Sequence, residues 1–305
     1  MKLTVSSSPH LHSGASTARI MADVLIALVP SVLAAAFFFG LRAFLVVVFC
    51  VALSMGLEAL CRLVMKRENT ALDGSAAVTG ALLALTLPAD IPLFYAAVGC
   101  AFAIVVVKQM FGGLGNNFVN PALTARIMML VSFPGALASS PQNFMLPDAV
   151  TTATPLAGGS VSSLWDLFLG RVGGAMGEGC KIAILLGLVY LLVRRVISPV
   201  IPVLMVGTVA LFSLIVGEDV GREVLSGGLL FGAVFMATDY VTSPVSLPGT
   251  VIYAVGCGLL TVLIRLYASL PEGVSYAIVL MNIVTPLLDR AFRRTPYGRG
   301  KRGAA

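Results

Sequence analysis

Apolar residues in this chain come in long blocks that recur from end to end. Between Ile20 and Phe39 the strongly polar side chains are Asp23 and Ser31 alone. Similar blocks follow as far as Leu288, parted by short runs rich in Gly, Pro, Ser, Asn and charge. A helix rises about 1.5 Å per residue, so about 20 apolar residues cross a hydrocarbon core of roughly 30 Å. On that ruler the pattern predicts ten spans: Ile20–Phe39, Ala43–Val64, Ser75–Leu87, Pro92–Phe111, Ala122–Leu137, Lys181–Ile197, Val200–Gly217, Leu225–Thr238, Thr250–Tyr267 and Val274–Leu288. The third and eighth are short for a full crossing and rich in Gly, Ser and Thr.

Composition agrees. The chain is 58% hydrophobic and 11% charged, where a soluble domain carries about 25% charged residues. It reads as an all-α integral membrane protein without a separate soluble domain. Met1–Arg19 is polar and the first apolar block continues as a full span, so no cleavable leader is expected. The five cysteines (Cys50, Cys61, Cys100, Cys180, Cys257) form no C-x-x-C pair, which argues against a zinc site, an iron–sulfur cluster or a disulfide framework in this chain. His10 and His12 both lie in the polar arm, and no metal site is expected there.

The formal charge of +6 reports orientation and not nucleic-acid binding. With the N-terminus in the cytoplasm, fifteen basic residues fall inside, among them Lys108 and Arg126, and five outside: Arg42, Arg171, Lys181, Arg222 and Arg265. Ten spans with both termini cytoplasmic satisfy the positive-inside rule. The basic tail 289–305 reads as a cytoplasmic anchor on lipid.

The two halves look related. Val98-Gly99-Cys100 returns as Val255-Gly256-Cys257, and Lys108 and Arg265 share the same offset of 157 residues. Thr79-Gly80-Ala81 and Phe231-Gly232-Ala233 lie in the two short spans. Because five is odd, the second copy runs upside down relative to the first, an inverted-repeat plan in which short or broken helices mark the central site. The parts are then an arm, 1–19; a first five-helix repeat, 20–137; an extracytoplasmic loop, 138–180; a second repeat, 181–288; and the tail, 289–305.

Two stretches invite chemistry. In the long polar interruption Pro147–Leu156, Asp148, Thr151 and Thr154 are spaced three apart with small or apolar residues between them. A threonine hydroxyl there can accept a phosphoester, although a plain Ser/Thr/Pro loop gives the same pattern. Between spans four and five, Gly112-Gly113-Leu114-Gly115-Asn116-Asn117 leads to Asn120-Pro121. The glycines permit a tight turn, and the Asn117 and Asn120 amides suit the edge of a flavin or quinone ring; a simple cytoplasmic turn is the alternative. Thr238-Asp239 closes the eighth span, and Asp73-Gly74-Ser75 opens the third in a comparable way. Asp23, Glu58 and Asp239 are the acids that intramembrane cost singles out as ion-path candidates. Trp165 belongs to a short capped helix on the outer surface.

These residues resemble the NqrB/RnfD family, the membrane subunits of the Rnf ferredoxin:NAD oxidoreductase and the sodium-pumping quinone reductase. The likeness runs nearly end to end: Ser8-Pro9-His10 with Arg19-Ile20-Met21, then Lys108-Gln109 through Asn120-Pro121-Ala122, Thr238-Asp239, Pro286-Leu287-Leu288-Asp289 and Tyr297-Gly298. The resemblance implies a flavinylation signal in Asp148, Thr151, Ala153 and the acceptor Thr154, which would carry covalent FMN. Ala149 and Thr152 stand where many members have glycine.

It also implies a non-covalent riboflavin near Asn117 and Asn120, and ten helices in two inverted repeats. The setting implied is a six-subunit complex in a bacterial or archaeal cytoplasmic (inner) membrane. Its partners are Fe–S subunits and a second flavin-bearing subunit, and a flavin transferase acts in maturation. The implied activity is electron relay across the membrane between ferredoxin- and NAD-linked partners, coupled to Na+ or H+ translocation. An inverted-repeat channel for a small solute such as urea is the alternative from another class, since fold alone does not decide function.

Overall fold

The computed structural model describes residues 16–67, 71–137, 164–170, 174–268 and 273–292. Every regular element among them is helical. Helix α1 (Thr17–Phe39) starts on the Ser16 cap, whose hydroxyl accepts from the Arg19 N–H, and Gly40 at φ 78° lets the chain fold straight back into α2 (Leu41–Val64). After a single turn at Ala71–Asp73 comes α3 (Ser75–Leu85), then α4 (Leu93–Ala101), which runs on as a π-helix over Phe102–Gln109. Next are α5 (Pro121–Ser132), the short α6 (Pro134–Leu137) and α7 (Leu164–Leu169).

The second half holds α8 (Lys181–Val193), α9 (Val200–Val216), the short α10 (Val220–Leu225) and α11 (Leu229–Phe231). The last of these turns at once into a π-helix over Gly232–Met236. Helices α12 (Leu247–Tyr267) and α13 (Gly273–Ala291) close the fold.

Among the described residues, four helices are long and apolar enough to cross a membrane: α1, α2, α12 and α13. Their outward faces carry Leu33, Phe37, Leu45, Leu60 and Leu287, each more than half exposed. Bare apolar surface on this scale is costly in water and is matched by lipid, so the protein is a multi-pass membrane protein. The core lies inward. All eleven residues of α3 are buried, and so are Leu229 and Phe231 to Met236. Eleven residues reach only about 16 Å at the α-helical rise, so α3 is a half-crossing. Such interrupted backbone is tolerated at depth because protein, not lipid, surrounds it.

The expected boundaries change in three places. The eighth span, expected from Leu225, is regular only from Leu229, as the short α11 with its π continuation, because Ser226, Gly227 and Gly228 break the backbone after α10. The fourth is α-helical only to Ala101. The fifth breaks at Phe133 (φ −134°) ahead of Pro134, since the residue before proline is pushed out of the α region.

Small residues set the close approaches. A Cβ on Gly80 of α3 would sit 2.6 Å from the Cys50 carbonyl oxygen of α2, so only glycine lets these two helices pack as they do. The two halves meet along α1 against α8 and α5 against α13.

Candidate functional site

At the end of the bundle where α1 begins, here the proximal end, a cavity of about 90 Å³ opens between the two halves. Its wall is mostly apolar: Met21 and Val24 of α1, Val78 and Leu82 of α3, Val234 and Phe235 of the second π segment. Ser75, Thr79, Lys108, Asn117, Asn120, Thr238 and Asp239 supply the polar groups. A mostly apolar cavity with a few convergent polar groups is the make-up of a small-molecule or cofactor site. Both π-helices contribute to it, Lys108 from the first and Val234–Phe235 from the second; π-turns inside helices are frequent at functional sites.

The glycine-rich turn frames one side of this cavity. Gly112, Gly113 and Gly115 have φ of 119°, 94° and 89°, values that any side chain would strain. The turn delivers Leu114 and Asn117 to the wall and ends on Asn120. Asn120 then caps α5: its Oδ1 accepts from the Ala122 and Leu123 N–H groups at 3.0 and 3.3 Å, and its Nδ2 donates to the Met236 carbonyl at 3.3 Å. Pro121 at the first helical position needs no N–H partner there.

This changes the expectation of two amides offered to a ring. The Asn120 oxygen is committed to the helix cap, and its nitrogen braces the π-helix of the other half. Asn117 donates to the Val119 carbonyl at 3.2 Å, and its oxygen takes no hydrogen bond among the described residues. Of the two amides, Asn117 is the one whose oxygen is uncommitted among the described residues.

Beside the cavity lies a buried charged network. Lys108 Nζ donates to Glu58 Oε2 at 3.0 Å and to Ser75 Oγ at 2.7 Å, and Gln109 Nε2 donates to Glu58 Oε1 at 2.7 Å. Ser75 Oγ in turn donates to Asp73 Oδ1 at 2.6 Å. Glu58 is wholly buried and Lys108 nearly so; neither charge is bearable there alone.

Asp23, the next ion-path candidate, lies seven residues into α1. It is gripped by the Arg194 guanidinium at 3.2 Å to each carboxylate oxygen and by the Tyr190 hydroxyl at 3.0 Å. The third candidate, Asp239, has no cation within 4 Å among the described residues. Its carboxylate accepts from the Thr242 hydroxyl at 3.2 Å and the Val241 N–H at 3.4 Å. Burial pushes this carboxyl above the usual carboxylate range, opposed by those two bonds and by the attraction of Lys108.

The opposite, distal end carries a second charged group. Arg126 of α5 donates to the Thr86 carbonyl and pairs with Glu178, and Lys181 donates to the Glu178 carbonyl. Arg265 pairs with Glu223 at 2.9 Å and also donates to the Ser226 carbonyl. The positive-inside count puts Arg126 with the inner basic residues. The structure buries it inside the bundle beside Glu178, at the same end as Lys181. Trp165, on α7, is 71% exposed, in keeping with a surface helix.

The structure thus brings Asn117, Asn120 and Asp239 to one cavity, with Glu58 one residue removed through Lys108; Asp23 stands apart with Arg194. Asp148, Thr151, Ala153 and Thr154 lie outside the described residues. Sequence reasoning missed the Ser75–Lys108–Glu58–Gln109 network, the Arg126–Glu178 pair and Asn282. The usable signal was the rule that an ionisable group inside a span needs a partner, but the partners are about fifty residues away in sequence.

The family model described as NQR2, RnfD, RnfE matches residues 4–298. Among curated proteins, the D subunit of the Na+-translocating ferredoxin:NAD+ oxidoreductase complex of Acetobacterium woodii is 48% identical, over 98% of this chain and 96% of that protein. The D subunit of the proton-translocating ferredoxin:NAD+ oxidoreductase complex of Clostridium ljungdahlii is 39% identical, over 97% of this chain and 96% of its own length. The D subunit of an ion-translocating oxidoreductase complex of Stutzerimonas stutzeri is 37% identical, over 94% of each. With a match that begins in the polar arm, ends in the basic tail and leaves none of the helices out, the chain belongs to the NQR2, RnfD, RnfE family.

Proposed function

We propose that this chain is the D-type membrane subunit of an ion-translocating ferredoxin:NAD+ oxidoreductase, and that it relays electrons across the membrane in step with Na+ or H+ movement. The observation that carries the reading is the near-full-length similarity to subunits of that name, joined to the cavity on which Asn117, Asn120 and Asp239 converge. Fe–S subunits and a second flavin-bearing subunit complete the six-subunit assembly.

Two flavins serve the relay in this reading. Thr154, in the motif Asp148-x-x-Thr151-x-Ala153-Thr154, takes FMN as a phosphoester from a flavin transferase. The proximal cavity takes riboflavin: its mostly apolar wall and the uncommitted Asn117 oxygen suit a ring with polar edges. A bound flavin supplies one- and two-electron chemistry. The chain's own residues hold and orient it, keep water from it, and place Lys108 and Asp239 beside it. A solute channel has no need of the Asp148–Thr154 motif, which favours the electron-carrier reading over the channel.

The inverted five-helix repeat is part of the same proposal, with the proximal end and both termini cytoplasmic and the parts divided as 1–19, 20–137, 138–180, 181–288 and 289–305. Three features support it. The third and eighth spans are the short, buried ones. Helix α1 packs on α8 and α5 on α13, which are matching positions of the two copies. Finally, Gly99 packs on the sulfur of Met129, and Gly256 on that of Met281, so a span-four glycine meets a span-five methionine in each half.

The test is Thr154→Ala in the assembled complex. Covalent flavin fluorescence of the denatured subunit should vanish while the subunit still assembles, and peptide mapping of 147–156 should find FMN mass on Thr154 in the wild type. Retained covalent fluorescence in the variant would overturn the acceptor assignment.

A further inference from the structure

We propose that Asp73, Ser75 and Lys108 form a proton relay from the proximal surface into the cavity. The proposal rests on the reading of that cavity as the seat of a redox ring.

The geometry is a continuous line of short hydrogen bonds. Asp73 is half-buried at the mouth of the bundle, just before α3. Ser75 Oγ donates to Asp73 Oδ1 at 2.6 Å and accepts from Lys108 Nζ at 2.7 Å. Ser75 and Lys108 are 4% and 2% exposed, and both line the cavity. A hydroxyl has one proton to give and two lone pairs to receive with, so Ser75 can take a proton from one neighbour and pass one to the other.

Two structural readings explain less. Asp73 also accepts from the Ser75 N–H at 2.9 Å, which is a turn-type cap of α3. That cap needs neither the Ser75 hydroxyl turned onto the same carboxylate nor an ammonium beneath it. Lys108 needs a partner to be buried, but Glu58 supplies one at 3.0 Å. The charged groups facing Lys108 are Glu58 and Arg62 from α2, Asp73 ahead of α3, and Asp239 beyond the second π segment. Glu58 holds the ammonium in place; Asp73, linked through the hydroxyl, is the route to water.

One turn of the relay balances as follows. Lys108 would give one N–H proton to a nitrogen or oxygen of a flavin bound beside it and reduced by the other carriers of the complex, and Ser75, 2.7 Å away, would refill the amine in the same motion so that Glu58 is not left charged alone. The Ser75 hydroxyl rotates from Asp73 to the neutral amine and yields its proton, restoring the ammonium. The Ser75 oxygen takes a proton from the Asp73 carboxyl, which had taken it from water at the surface. The net result is one proton moved from the proximal aqueous phase to the reduced ring.

The experiment uses the assembled complex in nanodiscs, with a pH-indicator dye and stopped-flow reduction by reduced ferredoxin. Non-covalent riboflavin is extracted from each preparation first. Ser75→Ala breaks the line. Asp73→Asn keeps an oxygen for the Ser75 N–H, so the cap of α3 survives while the carboxyl is lost. Ser75→Thr keeps the hydroxyl.

The expected result is riboflavin content unchanged in Asp73→Asn, whose residue lies outside the cavity wall, and uptake in the Ser75 variants is counted per bound riboflavin. Proton uptake slows on the order of 10²-fold in Ser75→Ala and Asp73→Asn, the usual scale for a lost proton donor. It returns close to wild type in Ser75→Thr, and a small weak acid added to Asp73→Asn speeds it again. A purely structural role for these residues predicts neither the hydroxyl-specific rescue nor the rescue by acid.

Bound riboflavin with undiminished proton uptake in Ser75→Ala and Asp73→Asn would overturn the relay alone, as would a Ser75→Thr variant as slow as Ser75→Ala. No extractable riboflavin in the wild type would overturn the relay and the cavity reading together.

Discussion

The Glu58–Lys108 pair makes the sharpest demand on the structure. Both side chains are within a few per cent of complete burial, and their charges lie 3.0 Å apart. Removing one partner of such a pair leaves the other charge buried without compensation, at a cost of about 3–5 kcal/mol. Lys108→Met strands Glu58, which keeps only the Gln109 amide; Glu58→Leu strands Lys108, which keeps only the Ser75 hydroxyl. In Glu58→Leu with Lys108→Met no charge remains. What remains is the Gln109 amide without its acceptor, a loss of about 1–3 kcal/mol.

The double variant should therefore be more stable than either single one, although it carries more substitutions. Independent effects would instead sum to about 6–10 kcal/mol. The assay is equilibrium unfolding in mixed micelles, followed by circular dichroism and by the fluorescence of Trp165, the chain's single tryptophan. Single variants within about 1 kcal/mol of wild type, or additive losses in the double variant, would show that the pair is not a buried ion pair and would refute the reasoning.

Further outcomes follow from other contacts. Asn120→Ala removes the α5 cap and should cost about 1–2 kcal/mol, with Asn120→Asp recovering only the cap, because a carboxylate accepts the same two N–H groups but cannot donate to the Met236 carbonyl; thermal unfolding of the purified subunit separates the two. Gly80→Ala places a methyl 2.6 Å from the Cys50 carbonyl and should cost about 1–3 kcal/mol through overpacking, read in the same assay. The raised Asp239 pKa means that the folded state holds this proton to higher pH than the unfolded chain does. Stability is then full at pH below the usual carboxylate range and falls as pH rises through the folded pKa. In a pH series of unfolding midpoints, Asp239→Asn should flatten that fall.

Much of the fold was legible because a span announces itself locally. A block of apolar residues bounded by Gly or charge needs no knowledge of its neighbours, and α1, α2, α9, α12 and α13 lie within a few residues of where the blocks put them. Asn120-Pro121 marked the start of α5 for the same reason, since a cap and a proline at the first helical position are both local chemistry. The π-helices at Phe102–Gln109 and Gly232–Met236 were not legible. A π-turn shifts hydrogen bonds by one carbonyl without changing composition, so Phe102 to Val107 reads as ordinary apolar helix. The break at Ser226–Gly228 was legible in principle, from the two adjacent glycines.

The site was half legible, and the missing half was always a partner. Asn117, Asn120 and Asp239 stand out because polar residues at the end of an apolar block have few structural reasons to be there. Nothing local says that the Asn120 oxygen is spent on its own helix, or that its nitrogen reaches the Met236 carbonyl across the join between the halves.

Nor does the sequence show what holds Asn120 itself. The fully buried Asn282 amide of α13 shares a 2.7 Å hydrogen bond with the Tyr253 hydroxyl, and in the amide orientation that satisfies its neighbours its oxygen accepts from the Asn120 N–H at 3.1 Å while its nitrogen donates to the Ile278 carbonyl at 3.2 Å. One part of the cavity lining is thereby tied to α12 and α13 of the second half, and another is held by Lys108 and Ser75 of the first. A displacement of the halves against each other has to move these parts relative to one another. Asn282→Leu should therefore disturb the cavity without touching its lining: α13 keeps its apolar packing, but the Asn120 N–H loses its acceptor at a cost of about 1–3 kcal/mol. On the proposal of two flavins, its signature is a shifted absorption band and a changed potential of the non-covalent flavin with the covalent one unaltered, and an unshifted spectrum would mean that the second half does not set the geometry of the cavity.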